Sequence, residues 1–157
     1  MTYSLVFYGI LGIASTAIAF VGNRRLFVRG GAGRPSFLEC LYYFLGLVSL
    51  GLGWYFNVRY VHEYGHAATY VGFTKALFPN WAADSAAQDY IMVNLVLLPL
   101  WTITDGRRRG LRIPWIFFVA SLFTSLAFSV ALYLGFVERQ IRYNRALAES
   151  STSYPQL

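Results

Sequence analysis

The chain has 157 residues, of which 57% are hydrophobic and 13% are charged, and its net charge is +6. A mean hydropathy of +0.47 is more apolar surface than a soluble domain of this length can bury, so the composition excludes an ordinary water-soluble protein. The single cysteine, Cys40, excludes an intrachain disulfide.

Four apolar segments are long enough to cross about 30 Å of hydrocarbon as helices. They run at about Tyr3 to Val21, Phe37 to Asn57, Trp81 to Thr104 and Pro114 to Phe136. No basic residue precedes the first segment and two arginines follow it, which indicates a retained helix rather than a cleaved signal. The sequence therefore predicts an all-α integral membrane bundle of four transmembrane helices over residues 1–145, with a flexible tail at residues 146–157.

Arginine-rich loops predict the orientation of this bundle, because basic loops stay on the cytoplasmic side during insertion. The loops at residues 22–36 and 105–113 are both rich in arginine. Four spans then place both termini, and an interfacial segment between the second and third helices, outside the plasma membrane. Arginines in the tail, Arg139, Arg142 and Arg145, conflict with that placement of the C-terminus.

The basic loops also predict partners. We expect their arginines to contact anionic lipid headgroups or an acidic cytoplasmic partner; the set is Arg24, Arg25, Arg29, Arg107, Arg108 and Arg109. Because the basic residues adjoin the membrane segments, the net charge does not indicate nucleic-acid binding. The stretch RGGAGRPS lacks the lysine and spacing of a phosphate-binding loop, and GxGxxG is absent, so no cofactor is predicted.

Small side chains recur at four-residue spacing along the fourth predicted helix. They form two adjacent stripes: Ser121, Ser125 and Ser129, and Ala127, Ala131 and Gly135. Small residues allow helix backbones to approach closely in lipid. The stripes therefore predict either packing inside the bundle or a contact face for a partner.

The stretch VHEYGHAATY contains His-Glu-Tyr-Gly-His, which fits the zinc-protease pattern H-E-x-x-H. On a continuous helix His62 and His66 would share a face, with Glu63 placed to activate a metal-bound water. HEYGHA also resembles the motif of intramembrane site-2-type proteases, and NLVLLPLWTITDG loosely resembles their second motif. That resemblance implies Asp105 as the third zinc ligand and a membrane metalloprotease as the alternative function.

The predicted topology opposes this resemblance. Asp105 stands at the cytoplasmic end of the third span, whereas both histidines follow the outer end of the second. The alternative ligands on the histidine side are Asp84 and Asp89. The preferred interpretation is an interfacial segment, Tyr60 to Phe78, whose histidines face water or headgroups and bind no metal.

Asn94 is the one strongly polar side chain deep in a predicted span, and Pro99 follows five residues later. A buried amide in lipid requires a hydrogen-bond partner. We expect a bond to a neighbouring helix rather than a transport pathway.

The run from about Leu77 to Arg139 resembles a family of small bacterial membrane proteins known only as a domain of unknown function. The likeness lies in LFPNWAADSAAQDYIMVNLVLL, DGRRRGLRIPW and SLAFSVALYLGFVERQ. The resemblance implies no enzymatic activity.

The arginine-rich four-helix pattern is also similar to accessory membrane subunits of mycobacterial Mce-type lipid importers. That likeness implies an actinobacterial protein that binds permease subunits of an ABC transporter. We therefore expect a non-catalytic accessory subunit of a larger membrane complex, in contact with membrane lipids.

Overall fold

The computed structural model describes residues 2–28 and 32–152. It is 85% helical and has no strand among these residues, which confirms the all-α prediction. Seven α-helices follow in chain order: α1 (Thr2–Gly22), α2 (Phe37–Tyr64), α3 (Tyr70–Ala76), α4 (Trp81–Met92), α5 (Leu98–Arg109), α6 (Ile116–Phe123) and α7 (Leu126–Thr152).

Local side-chain signals fix several helix ends. The Ser36 hydroxyl accepts a hydrogen bond from the Glu39 N–H at 3.1 Å and caps α2. Asn80 caps α4 in the same way, accepting from two backbone N–H groups at 3.1 Å. Gly110, at φ +85°, ends α5 in the left-handed conformation that favours glycine.

Helices α4 and α5 form one continuous rod through a π-helical turn at Val93–Leu97. Pro99 stands at the beginning of α5. Its ring has no N–H and clashes with the carbonyl four residues earlier, so the helix widens locally instead of keeping a regular ladder. The widened turn carries Asn94, which is buried.

Three helical stretches are long and apolar enough to cross a membrane: Leu5–Gly22, Phe37–Ala67 and Trp81–Arg109. They correspond to the first three predicted spans and are consistent with a membrane protein. The fourth predicted span, Pro114 to Phe136, is wrong. The described residues hold three such helices, not four.

The predicted fourth span is instead a helical hairpin, because α6 ends at Phe123 and α7 runs back beside it. The ring of Phe117 in α6 lies 5.3 Å from those of Tyr133 and Phe136 in α7, centroid to centroid. In one straight helix, nineteen residues would separate Phe117 from Phe136 by about 28 Å. The Ser129 hydroxyl also donates a hydrogen bond to the Phe117 carbonyl.

The beginning of α6 and the outgoing part of α7 lie at the same end of the bundle. Where α6 begins, Asn23 at the end of α1 exchanges two 2.8 Å hydrogen bonds with the backbone of Arg112. Where α7 leaves the bundle, Arg139 donates to the Leu26 carbonyl at 2.7 Å. We call this end, which also holds the connecting residues 23–28, 32–36 and 110–115, the basic end.

Three spans and a returning hairpin place the C-terminal half of α7 and the start of α1 at opposite ends of the bundle. The prediction that both termini share one side rested on four spans and does not follow from three. The conflict raised by the tail arginines also disappears, because they join the other arginine-rich segments at the basic end. Helix α7 continues to Thr152, so most of the predicted tail is helical; residues 153–157 lie outside the described part.

The hydrophobic core surrounds the hairpin, with α1 packed on α6 and α2 packed on α7. Its largest fully buried side chains are Phe117, Tyr133, Phe136 and Leu26. The segment predicted to be interfacial, Tyr60 to Phe78, lies at the other end of α2. It consists of the last turn of α2, a 3-10 turn and α3, and its Val71 is 63% exposed.

Candidate functional site

A buried carboxylate organises the basic end. Glu39 lies in the first turn of α2 and its side chain is fully buried. Arg139 Nη1 contacts Glu39 Oε1 at 2.6 Å, and Arg142 Nη1 contacts Oε2 at 2.8 Å. Each carboxylate oxygen therefore has its own charged donor, and both guanidinium groups come from α7. A second acid, Glu138 of α7, lies close by and accepts a hydrogen bond at 3.1 Å from the Ser36 hydroxyl.

The two arginines also hold the chain between α1 and α2. Arg139 lies over the Phe27 ring at 4.4 Å from its centroid, in addition to its bond to the Leu26 carbonyl. Arg142 donates to the carbonyls of Ala32 and Arg34. Three segments distant in sequence therefore converge on Glu39: the connection after α1, the start of α2 and the middle of α7.

Close packing between α2 and α7 continues away from this centre. Gly135 faces Tyr43, and a Cβ at Gly135 would overlap the tyrosine ring. Further along, the hydroxyls of Ser49 and Ser125 are 3.0 Å apart. The hairpin is thus fixed to α2 by a charged contact at one end and by small residues along its length.

The predicted arginine set divides by exposure. Arg25 donates to Gln140 Oε1 at 3.3 Å and to the Gly110 carbonyl, so it joins two connections of the basic end. Arg109 contacts Asp105 at 2.7 Å, and the Tyr133 hydroxyl donates to the same carboxylate at 2.6 Å. Three members of the set are exposed, Arg24, Arg107 and Arg108. Arg29 lies outside the described residues.

The small-residue stripes predicted as a contact face are used mostly within the chain. Ser121 and Ser129 are buried and hydrogen-bonded, Ser125 contacts α2, and Ala131 and Gly135 are buried. Ala127 is exposed. Packing inside the bundle, one of the two alternatives left open by the sequence, accounts for five of these six residues, and a partner meeting α7 would find Ala127.

Asn94 has a hydrogen-bond partner on a neighbouring helix, as its position within a predicted span required. The Ser121 hydroxyl of α6 donates to Asn94 Oδ1 at 2.6 Å, and Asn94 Nδ2 donates to the Tyr90 hydroxyl at 3.3 Å. The expected interhelical hydrogen bond is therefore confirmed. It connects the π-helical turn to α6, the first leg of the hairpin.

The histidine motif does not lie on one continuous helix. Helix α2 ends at Tyr64, and Gly65 turns the chain with φ +58° before His66. His62, Glu63 and His66 are exposed. Residues four apart share a face only while the helix continues, so the expected geometry of H-E-x-x-H is wrong here.

The acids considered as completing ligands do not assemble with the histidines. Asp105 is at the basic end, and Asp89 accepts a hydrogen bond from its neighbour Gln88. Within residues 2–28 and 32–152, no three His, Cys, Asp or Glu side chains, Asp84 included, are grouped so that they could hold a metal ion.

Glu39 was missed by the sequence analysis, although two signals mark it. It is the one acid within the apolar run Phe37 to Asn57, and an ionisable residue in such a run is functional or structural by default. It also stands at the fourth position of Ser36-Phe37-Leu38-Glu39, a capping-box pattern. Its carboxylate binds the two arginines of α7.

Comparison with protein families finds a match over most of the chain. The family described as "Protein of unknown function DUF2834" matches residues 41–139. The chain belongs to this family. The matched region begins within α2 and ends at Arg139, so it contains the rod of α4 and α5, α6 and the first half of α7, and it begins earlier than the resemblance drawn from the sequence.

No curated protein and no solved structure matches the chain. The family carries no assigned activity, so the function must be argued from the residues of this chain.

Proposed function

We propose that this protein is a non-catalytic accessory subunit of a larger membrane complex and docks through the outward face of α2. That face is apolar and follows the helical repeat Phe44, Val48, Gly51 and Tyr55, all exposed. It points away from α7, which covers another face of the same helix through Gly46, Ser49 and Gly53.

Gly51 is the observation that supports this proposal. A Cβ at Gly51 would meet no atom of the chain within 4 Å, whereas Gly46 and Gly53 on the same helix face Ala131 and Ser125 at about van der Waals distance. A glycine inside a helix costs about 1 kcal/mol relative to alanine. Packing inside the described chain does not require a glycine at position 51. A partner helix that approaches the backbone closely would require one.

The partner proposed from general likeness is the permease of an Mce-type ABC lipid importer, with this chain supporting its assembly or regulation. We place the basic end in the cytoplasm, because basic segments are retained there. The exposed arginines Arg24, Arg107 and Arg108 would then contact anionic headgroups or the cytoplasmic part of the partner.

The test compares two leucine substitutions in the full-length tagged protein. Gly51→Leu adds bulk to the proposed interface, and Ala127→Leu adds less bulk at an exposed position of α7. Proteins that co-purify in mild detergent are quantified by mass spectrometry. We expect Gly51→Leu to reduce recovery of the main partner about tenfold, since overpacking costs about 1–3 kcal/mol.

Ala127→Leu should leave that recovery unchanged. Loss with Ala127→Leu alone would move the interface to α7. Equal recovery with all three proteins, or a wild-type chain that purifies without any membrane partner, would overturn the docking proposal.

A further inference from the structure

An apolar groove of about 650 Å³ lies between α1 and α2. The groove exists because α1 packs on α6 and α2 packs on α7, so that the hairpin holds the two helices apart. Phe128 and Leu132 of α7 are among the residues at its floor, and Ile13 and Leu47 at its rim are 73% and 64% exposed. The groove therefore opens sideways, where the bilayer surrounds the bundle.

The two ends of the groove differ. At the end distant from the arginines, Trp54 reaches across to Gly9, where a Cβ would lie 2.7 Å from the indole ring. At the other end the lining finishes with Phe20 and Tyr43, next to the basic end. Arg24 is exposed and lies beyond the end of α1, in the connection that follows Gly22. An elongated ligand thus meets an aromatic stop at one end and the arginine-rich basic end at the other.

The lining favours hydrocarbon. Its two threonines, Thr16 and Thr124, donate their hydroxyl protons to the carbonyls of Gly12 and Ala120 at 2.8 and 2.6 Å. The remaining lining side chains are aliphatic or aromatic, and their polar groups are the Tyr43 hydroxyl and the Trp54 indole N–H. Pockets of this volume and apolar character are typical of small-ligand sites.

The dimensions of the groove fit an elongated occupant. From Gly9 to Phe20 the groove follows eleven residues of α1, which is about 16 Å at 1.5 Å per residue. A volume of about 650 Å³ over that length gives a cross-section of about 40 Å². A groove of this length and width fits a chain-like occupant such as an acyl chain.

We propose that this groove binds an acyl chain of an anionic phospholipid from the surrounding membrane, with the phosphate beside Arg24 at the basic end and the chain directed towards Trp54. The net charge of +6 and the arginines of the basic end favour a negative headgroup. This site goes beyond the proposed docking function and does not depend on it, because it lies on a different face of α2.

The experiment is native mass spectrometry of the purified full-length chain, offered equal amounts of phosphatidylglycerol and phosphatidylcholine in detergent. We expect one phospholipid per chain, with phosphatidylglycerol preferred at least fivefold. Ala17→Trp fills the groove from an exposed position of α1 and should reduce lipid retention at least tenfold. Arg24→Gln should retain lipid but lose the preference for phosphatidylglycerol.

Ala14→Trp is the matched control, because Ala14 is exposed on the same helix and does not line the groove. It should bind lipid as the wild type does, and thermal unfolding should show that both tryptophan variants are folded. The site is overturned if the wild type retains no lipid, if the two tryptophan variants bind lipid equally, or if the groove is occupied by a second copy of the chain. Equal binding of the two lipids by the wild type overturns the headgroup assignment.

Discussion

Glu39 and Arg139 are 100 positions apart in the chain, yet Oε1 of the carboxylate and Nη1 of the guanidinium are 2.6 Å apart. The contact joins the first turn of α2 to the middle of α7. A buried ion pair is weak support for net stability, because desolvation offsets the attraction. The contact instead determines where the hairpin lies, because α7 must return to the basic end for the contact to form.

Removing the charge of Glu39 should destabilise the bundle strongly. Glu39→Gln leaves Arg139 and Arg142 close together without their shared counter-charge, and breaking such a buried pair costs about 3–5 kcal/mol. Thermal or denaturant unfolding in detergent measures the change. Glu63→Gln, at an exposed acid, is the control and should change stability by less than about 0.5 kcal/mol. Similar stability of the two variants would contradict the role given to Glu39.

The hairpin makes a topological prediction that differs from a four-span bundle. In a Cys40→Ser background, single cysteines at Arg108, Ala146 and Ser85 are exposed to thiol reagents. We expect Arg108→Cys and Ala146→Cys to resist an impermeant reagent in intact cells and Ser85→Cys to react, because the positive-inside rule places the arginine-rich basic end in the cytoplasm in our proposal. A bundle with four spans would place Ala146→Cys with Ser85→Cys, and that result would rule out the hairpin.

The bond between Ser121 and Asn94 should contribute modestly to stability. Hydrogen bonds between helices in membranes average about 0.6 kcal/mol and reach about 1.7 kcal/mol. We expect Ser121→Ala to lower the free energy of unfolding within that range, and a double-mutant cycle with Asn94→Leu to recover a coupling of the same size. Additive effects of the two substitutions would show that the 2.6 Å contact is not energetically coupled.

The histidines should be dispensable for metal content and for complex formation. His62 and His66 are exposed, and the helix ends between them. We expect the double variant His62→Ala and His66→Ala to match the wild type in zinc content, measured by elemental analysis, and in partner recovery. About one zinc per chain in the wild type, lost in the variant, would contradict this expectation.

Local and short-range features of the fold could be read from the sequence. Helices α2 and α4 begin at Phe37 and Trp81, as predicted, because a capping side chain and the start of an apolar run lie within a few residues of each other. The partner of Asn94 was predicted in kind, since a buried amide in lipid needs a hydrogen bond wherever the chain supplies one. Its identity as Ser121 was not.

The hairpin could not be read in this way. The mean hydropathy of a segment does not depend on the direction of the chain. A short helix followed by the apolar half of a returning helix therefore has the same mean hydropathy as one straight span. The turn at Thr124 and Ser125 contains neither glycine nor proline to mark it. What reverses the chain is contact at long range: Phe117 with Phe136, and Gly12 against the Phe123 carbonyl.

The sequence by itself determined that this is an all-α chain with apolar segments of membrane length and arginine-rich connections, because those properties depend on the composition of contiguous segments; it predicted four spans where the described residues have three. Only the tertiary structure decided that the last apolar segment turns back and that Glu39 is enclosed by two arginines. It also decided that α1 and α2 leave an apolar groove between them. Each of these depends on which distant residues meet, and the packing of side chains from separate helices selects those meetings.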